Sequence, residues 1–343
     1  MSLWQQYLAK KENAQGPYFP KQAAEEMGIS EGALIADAPD TVYLGTAIRD
    51  LILKLDTLGE ILSVVRNDVA VHEKNGLYEH VTLTARSGLA LNVGGIDLRF
   101  FLQNWHHALA TVNTIGEKTM YSIQFYDEFG VAIEKVFLQD TSKVEAWNAL
   151  VEEFKTEGKP QFIHTERSTT DIPQPLSAER EKAFQERWQE LKDVHHFGGL
   201  LETFNLDRQQ SYRHAPAGMT KQLDRCIWQQ VLEQVRDSGI KIMIFVGNRG
   251  LVQIQTGQIH NLKRAYGYLN ILDSKEPEQF DLHLRDDEIV ETWLVRRPIS
   301  EGYVTCIEGF DKYRQSVIQI FGFRSEGDDE MAAWHKLTDD LFA

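Results

Sequence analysis

His195, in the run LKDVHHFGGLL, is the residue of this chain best placed to do chemistry. Phe184, Trp188, Leu191 and His195 recur at the spacing that aligns side chains on one helix face. The imidazole is therefore expected to continue a buried stripe and to point inward, as a metal ligand would. Gly198 and Gly199 follow within one turn, and each costs roughly 1 kcal/mol against alanine in a helix interior. The room they leave suits something flat. A core histidine beside a helix kink has the same pattern, so the rest of the chain has to decide between the two.

Cations supply the next signal. Arg208 and Arg213, Arg296 and Arg297 in WLVRRP, and Arg324 in QIFGFRSEG stand at the ends of apolar runs in a chain of formal charge −15. Any one of them is explained by a surface pair with a carboxylate. Taken with an inward histidine and a flat gap, they suit a planar, apolar, dianionic metal ligand. Other chemistries lack their motifs: there is no GxxxxGK[ST], no GxGxxG after a strand, no GxSxG and no HExxH. The CxxCH of covalent haem attachment is also missing, so a haem would be held non-covalently.

Composition bounds the setting. With 343 residues, two domains or two halves are expected. The acidic balance argues against nucleic acid or an anionic membrane as the main partner, because both need a basic footprint. Two cysteines, Cys226 and Cys306, without a CxxC fit a reducing compartment and exclude a thiolate zinc site. No apolar run resembles a signal peptide or a bilayer span, which makes a cytoplasmic location the expectation.

The elements that must position these residues follow a repeat. The first ~35 residues read as helical, with a break at Gly16-Pro17 and a stop at Gly28. A further helical run is expected from Thr41 to Ile61, then a hairpin turning at Asn75-Gly76. The runs LALNVGG, IDLRFFL, MYSIQFYD and AIEKVFL read as strands, and KVEAWNALVEEFK as a closing helix. A polar, Pro-containing stretch around TERSTTDIPQPLS marks a linker over 165–178, between repeats at 1–164 and 179–343. Trp188 answers Trp4 (188 − 4 = 184), Asn248 answers Asn67 (248 − 67 = 181), and Asp281 answers Asp97 (281 − 97 = 184). The Ala-Trp of AAWHKL answers that of EAWNAL (333 − 146 = 187). Four matches in order predict an α+β tandem duplication, each unit having N-terminal helices, a large antiparallel sheet and a C-terminal helix. The register that carries His195 in the second copy carries Lys11 in the first.

LKDVHHF with RQQ thirteen residues after the histidine, IDLRFFLQNWHHALA, VVRNDVAVHEKNGLY, WLVRRP and QIFGFR are together similar to the bacterial hemin-degrading and haem-trafficking family of the HemS/ChuS type. The resemblance spans essentially the whole chain. It implies a haem b held non-covalently, with His195 as axial ligand and His196 at the rim or, as the alternative, a second candidate ligand. It also implies Arg99 as the distal residue, Phe101 stacking on the macrocycle edge, and Arg208, Arg297, Gln319 and Arg324 at the propionates. Phe321 stands where such proteins usually carry Tyr and Arg297 where Lys is usual, and FGG after the histidines is leaner than the family habit. His72, His106 and His107 are expected to be structural, with His72 the alternative as a second haem ligand. The activity implied is oxidative opening of imported haem with iron release, in which Arg99 and His195 are the catalytic residues and electrons come from an external donor or reductase. The alternative is a haem chaperone that hands its cargo to a separate oxygenase or apo-protein, with an inner-membrane permease as a further partner.

Overall fold

The repeat predicted from four matches extends to every helix and strand of the structure, a computed structural model that describes residues 1–16, 18–164, 175–300, 302–324 and 332–342. The first half runs α1 (Leu3–Glu12), α2 (Pro20–Glu26), α3 (Glu31–Ala36), β1 (Thr41–Gly45), α4 (Ile48–Ile52), β2 (Glu60–Arg66), β3 (Ala70–Leu77), β4 (Val81–Leu83), β5 (Ser87–Ala90), β6 (Asp97–Phe101), β7 (His107–Ile115), β8 (Lys118–Tyr126), β9 (Ala132–Leu138) and α5 (Val144–Phe154). The second half gives α6 (Ala178–Gln189), α7 (Phe197–Phe204), α8 (Arg208–Arg213), β10 (Thr220–Leu223), α9 (Ile227–Ser238), β11 (Ile242–Gly247), β12 (Leu251–Gly257), β13 (Leu262–Ala265), β14 (Tyr268–Asp273), β15 (Phe280–Leu284), β16 (Glu291–Pro298), β17 (Tyr303–Phe310), β18 (Ser316–Gly322) and α10 (Ala332–Phe342). The order of helix and strand is the same in both.

The fold is α+β with two large antiparallel sheets. Strands run β1-β7-β8-β9-β2 in the first half and β10-β16-β17-β18-β11 in the second, with β4-β5-β6 and β13-β14-β15 as the matching three-strand ribbons. Register repeats too: Ile123 faces Val136 on β8–β9 and Ile307 faces Ile320 on β17–β18, each 184 residues on (307 − 123 and 320 − 136).

Two compact units result. One comprises Met1–Arg66, His72–Arg167 and Gly247–Gln253, the other Asn67–Val71, Ser168–Val246 and Ile254–Ala343. Each unit thus takes a short hairpin segment from the opposite half of the sequence. Leu251 is buried in the first unit's core with Leu51, Phe100, Ile123 and Trp147. Val69 and Ala70 are buried in the second unit's core with Trp228, Ile244, Ile307 and Trp334. Burial of side chains this size stabilises by about 1.5–3 kcal/mol each, enough to fix such a segment in place. In α9, Trp228, Val231, Leu232 and Val235 form the buried stripe, and Gly239 ends the helix in the left-handed region at φ +64°.

Three expectations are corrected. The helical run over 41–61 is a strand, a five-residue helix and a turn, because Thr41, Val42 and Tyr43 pair with β7. Asn75-Gly76 is not a turn: both residues lie inside β3, where a Cβ on Gly76 would stand 3.3 Å from Ile96. The chain reverses instead at Asn67, whose Oδ1 accepts from the backbone N–H groups of Val69 and Ala70. LALNVGG is a strand only as far as Ala90. Most of the expected linker, residues 165–174, lies outside the described residues.

Candidate functional site

His195 does not continue the α6 stripe. That helix ends at Gln189, so Phe184, Trp188 and Leu191 are buried while the chain re-forms as a short 3-10 turn over Val194–His196. Asp193 starts the turn: its carboxylate accepts the His195 backbone N–H at 2.8 Å, the cap a short acidic side chain makes best. The same oxygen accepts the ring Nδ1–H of His195 at 2.7 Å. The imidazole, expected inside, is 86% exposed. His196 is exposed as well, and its ring makes no hydrogen bond among the described residues. Gly198 and Gly199 open α7 rather than kink a longer helix, and a Cβ on either would meet nothing within 4 Å.

The turn rests on a sheet face. Val194 packs beside an apolar group formed by Val304, Cys306 and Phe321 with Met243, Phe245 and Ile299. Alternation of side chains along β11, β17 and β18 puts these residues on one side, and the Phe245 and Phe321 rings lie 4.9 Å apart between centroids. Gln319 shares that side two residues before Phe321 and donates to Ser316 Oγ at 3.1 Å. Arg324 follows two residues after β18 and is half-buried.

On the same face, directly across from Gln319, lies a buried carboxylate, Glu308 of β17. Arg208, first residue of α8 and placed by the Asp207 cap, donates Nε to Glu308 at 2.9 Å. Its two Nη groups carry no hydrogen bond among the described residues. Arg297 donates Nη2 to Glu308 at 3.3 Å and to the Tyr212 hydroxyl at 2.7 Å, and Tyr212 in turn donates to Glu308. Burial works against the charge on Arg208, yet the carboxylate outweighs it and holds the guanidinium well above its ordinary range. The Tyr212 hydroxyl is pushed up by burial, with Arg297 opposing and Glu308 reinforcing the shift. Arg297, expected to meet an anion directly, is 3% exposed and lies over the Phe197 ring at 4.6 Å.

In the first unit Arg99 stands on β6, paired with Asp97 and donating to the carbonyl of Leu98 at 3.0 Å. Burial raises the Asp97 carboxyl and Arg99 opposes it. Leu89 faces Arg99 across the β5–β6 pair, and Leu89, Leu91 and Phe101 are exposed. Arg99 itself is half-buried, beside these exposed apolar side chains. His72 is fully buried and its imidazole is held down to about 3 by burial and then by Lys74, which fits a neutral strand residue rather than a surface ligand. His107 is tied to the Tyr43 hydroxyl at 2.9 Å, and His106 Nε2 stands 3.6 Å from the Glu128 carboxylate.

The second unit therefore gathers the His195 turn, Phe321, Gln319, Arg208 and Arg297 around one sheet face; Arg99 and Phe101 belong to the first unit. Sequence reading missed Asp193, Glu308 and Tyr212. Asp193 carried a signal, a helix-capping residue two positions before the histidine, whereas nothing in the spacing of Glu308 and Tyr212 links them to Arg208.

This set of groups fits an imidazole-ligated, apolar, dianionic plate. Comparison with known proteins points the same way. The model of the haemin-degrading HemS/ChuX domain matches the chain twice, over residues 28–154 and 205–341. The hemin transport protein HemS of Yersinia enterocolitica is 34% identical over 335 residues, covering 97% of this chain and 95% of its own. The heme degrading enzyme ChuS of Escherichia coli O157:H7 superposes with a TM-score of 0.89 at 32% identity, covering 98% of each chain. The heme-binding protein PhuS of Pseudomonas aeruginosa, in its holo form, gives 0.87 at 35% identity, covering 98% of this chain and 96% of its own.

Proposed function

This chain belongs to the haemin-degrading HemS/ChuX family, and from that premise we propose that it binds haem b non-covalently through His195 and opens its ring oxidatively, releasing iron for use in the cell. The observation that carries the reading is an exposed imidazole with Nδ1 engaged and Nε2 unengaged, seated beside an apolar sheet face with Arg208 at its edge. A ferric or ferrous porphyrin needs those three things: a neutral nitrogen lone pair, apolar cover and a cation for its propionates.

The bound haem supplies the redox and dioxygen chemistry that oxidises its own macrocycle, so it is substrate and cofactor together. The chain's residues do the rest. His195 Nε2 ligates iron. Arg208 offers its free Nη pair to a propionate, since its Nε is spent on Glu308. Gln319 and Arg324 complete that rim, and Phe321 covers an apolar ring edge, the role the family resemblance also gives Phe101. Arg297, on the same sheet face, balances the charge of Glu308, which keeps the Arg208 fork oriented. The family resemblance alone gives Arg99 the distal polar role, and its guanidinium would be charged at every relevant pH. Electrons come from a separate donor in the cytoplasm.

A haem titration of wild type beside His195→Ala tests the binding half: wild type gives a sharp Soret complex and the variant loses it. Incubating the complex with reductant in air, with peroxide scavenged, tests the chemistry. Loss of the Soret band with an open tetrapyrrole and free iron is expected, and Arg99→Ala slows it while sparing binding. The name of the Yersinia relative, a hemin transport protein, favours a second reading in which the same pocket delivers haem to a permease-linked or oxygenase partner. An intact Soret band after that incubation selects it.

A further inference from the structure

Asp193 uses one oxygen for two bonds to the same residue, the backbone N–H of His195 at 2.8 Å and its ring Nδ1–H at 2.7 Å. The two bonds tie the ring to its own backbone, so rotation about the side-chain bonds is restricted. They also decide the tautomer. A carboxylate can only accept, so Nδ1 carries the proton and the lone pair sits on Nε2. Nothing comparable holds His196, whose ring makes no hydrogen bond among the described residues and whose backbone N–H goes to the Asp193 carbonyl at 3.1 Å. The neighbouring imidazoles, both exposed, are therefore unequal: one is set in direction and tautomer before any ligand arrives, the other is free to turn.

We propose that Asp193 is the positioning residue of the haem site: its carboxylate selects His195 over His196 as the iron ligand and, by drawing on the Nδ1 proton, gives that ligand anionic character. The inference rests on His195 being the ligand and goes beyond it. A negatively charged acceptor on the far nitrogen makes an imidazole a stronger donor, which strengthens the iron–nitrogen bond and favours the ferric state. The neutral carboxamide of Asn can accept the same two hydrogen bonds with little change in shape, so Asp193→Asn isolates the charge. Asp193→Ala removes the acceptor altogether.

The test loads wild type, Asp193→Asn, Asp193→Ala and His195→Ala with haem and reads the iron–histidine stretching frequency of the ferrous form and the reduction potential. Expected are a Soret complex in both Asp193 variants, a lower stretching frequency and a more positive potential in Asp193→Asn, and a larger change in Asp193→Ala. Adding His196→Ala to Asp193→Ala then weakens haem binding, while His196→Ala alone does not. An unchanged frequency and potential in both Asp193 variants overturns the positioning role and leaves His195 as ligand. A wild-type spectrum in His195→Ala overturns the ligand assignment itself, so the two failures are told apart.

Discussion

At Glu308 three donors converge on one buried carboxylate, and the consequence is that neither arginine can be treated as a separate surface charge. Removing one member of a buried ion pair is costly because it strands the other, typically about 3–5 kcal/mol. Glu308→Ala should sit near the lower end, since the Arg208 side chain is partly exposed, and urea denaturation read by tryptophan fluorescence measures it; a loss under about 1 kcal/mol would mean the cluster is not coupled as drawn. Glu134 makes the opposite case in the first unit. It is buried with the Ser63 and Tyr78 hydroxyls donating at 2.6 and 3.0 Å, and burial pushes its carboxyl up to about 7 against those two bonds. The folded state then keeps a proton that the unfolded chain, with an ordinary Glu value near 4.3, has lost. Stability must fall as pH rises from about 4.5 to 7 and stay lower above that. Glu134→Gln should flatten that slope and stabilise the protein at pH 8 by up to about 3 kcal/mol, read from melts across the range. Little of this was legible in sequence. His195 stood out by type, but its exposure depended on where α6 stopped, and partners such as Tyr212 and Glu308, 96 residues apart, meet only through the register of α8 on β17.

Among elements, the two long hairpins show best what the repeat encodes. Asn67 and Asn248 each turn the chain by accepting backbone N–H bonds on Oδ1, and each donates Nδ2 to a strand carbonyl, Val317 for one and Ile133 for the other. Those carbonyls are themselves repeat partners (317 − 133 = 184). Deleting one such side chain removes a capping bond and leaves a carbonyl unmet, so Asn67→Ala and Asn248→Ala should each cost about 1–3 kcal/mol in chemical denaturation. A silent substitution at either position would show that the hairpin is held by its buried residues alone. The Asn pair was visible in the sequence as a repeat match but not as a turn, because Asn75-Gly76 carried the stronger turn signal. That dipeptide lies where β3 passes close to Ile96, a packing reason for glycine that periodicity cannot distinguish from a turn. By contrast β9 and α5 were readable almost to the residue, since β9 alternates apart from buried Ile133 and α5 buries Trp147, Leu150 and Val151 on one stripe.

For the whole molecule, duplication raises the question of how many haems a chain holds. The positions that answer Arg208 and Gln319 in the first unit are Glu31 and Lys135 (208 − 31 = 177; 319 − 135 = 184), and Gln124 answers Glu308 (308 − 124 = 184). The α3 and α8 helices that carry the first pair are capped alike, Ser30 accepting from Ala33 N–H and Asp207 from Gln210 N–H. Glu31 and Lys135 bond to each other in the interior. Burial alone would raise the Glu31 carboxyl; the charges of Lys135 and Arg66 overcome it and hold it low. Where the second unit keeps a guanidinium with free donors, the first has a closed, internally neutral pair. Phe162 packs over Gly32 and Gly130 there, against His107 and Tyr126 at 5.1 and 6.1 Å between ring centroids. Although the Trp4–Trp188 match puts Lys11 at the register of His195, the helix boundaries that pair Glu31 with Arg208 put Tyr18 there (195 − 18 = 177), a residue buried beside Tyr7. The first unit thus has, among the described residues, no counterpart of the ligand and the anion receptor proposed for its twin, and the chain should bind a single haem. Titration monitored at the Soret maximum should break at one equivalent per chain in wild type and show no sharp break in His195→Ala. A break at two equivalents, with half of it surviving in His195→Ala, would require an independent ligand in the first unit; His72, fully buried, would have to move to serve as one.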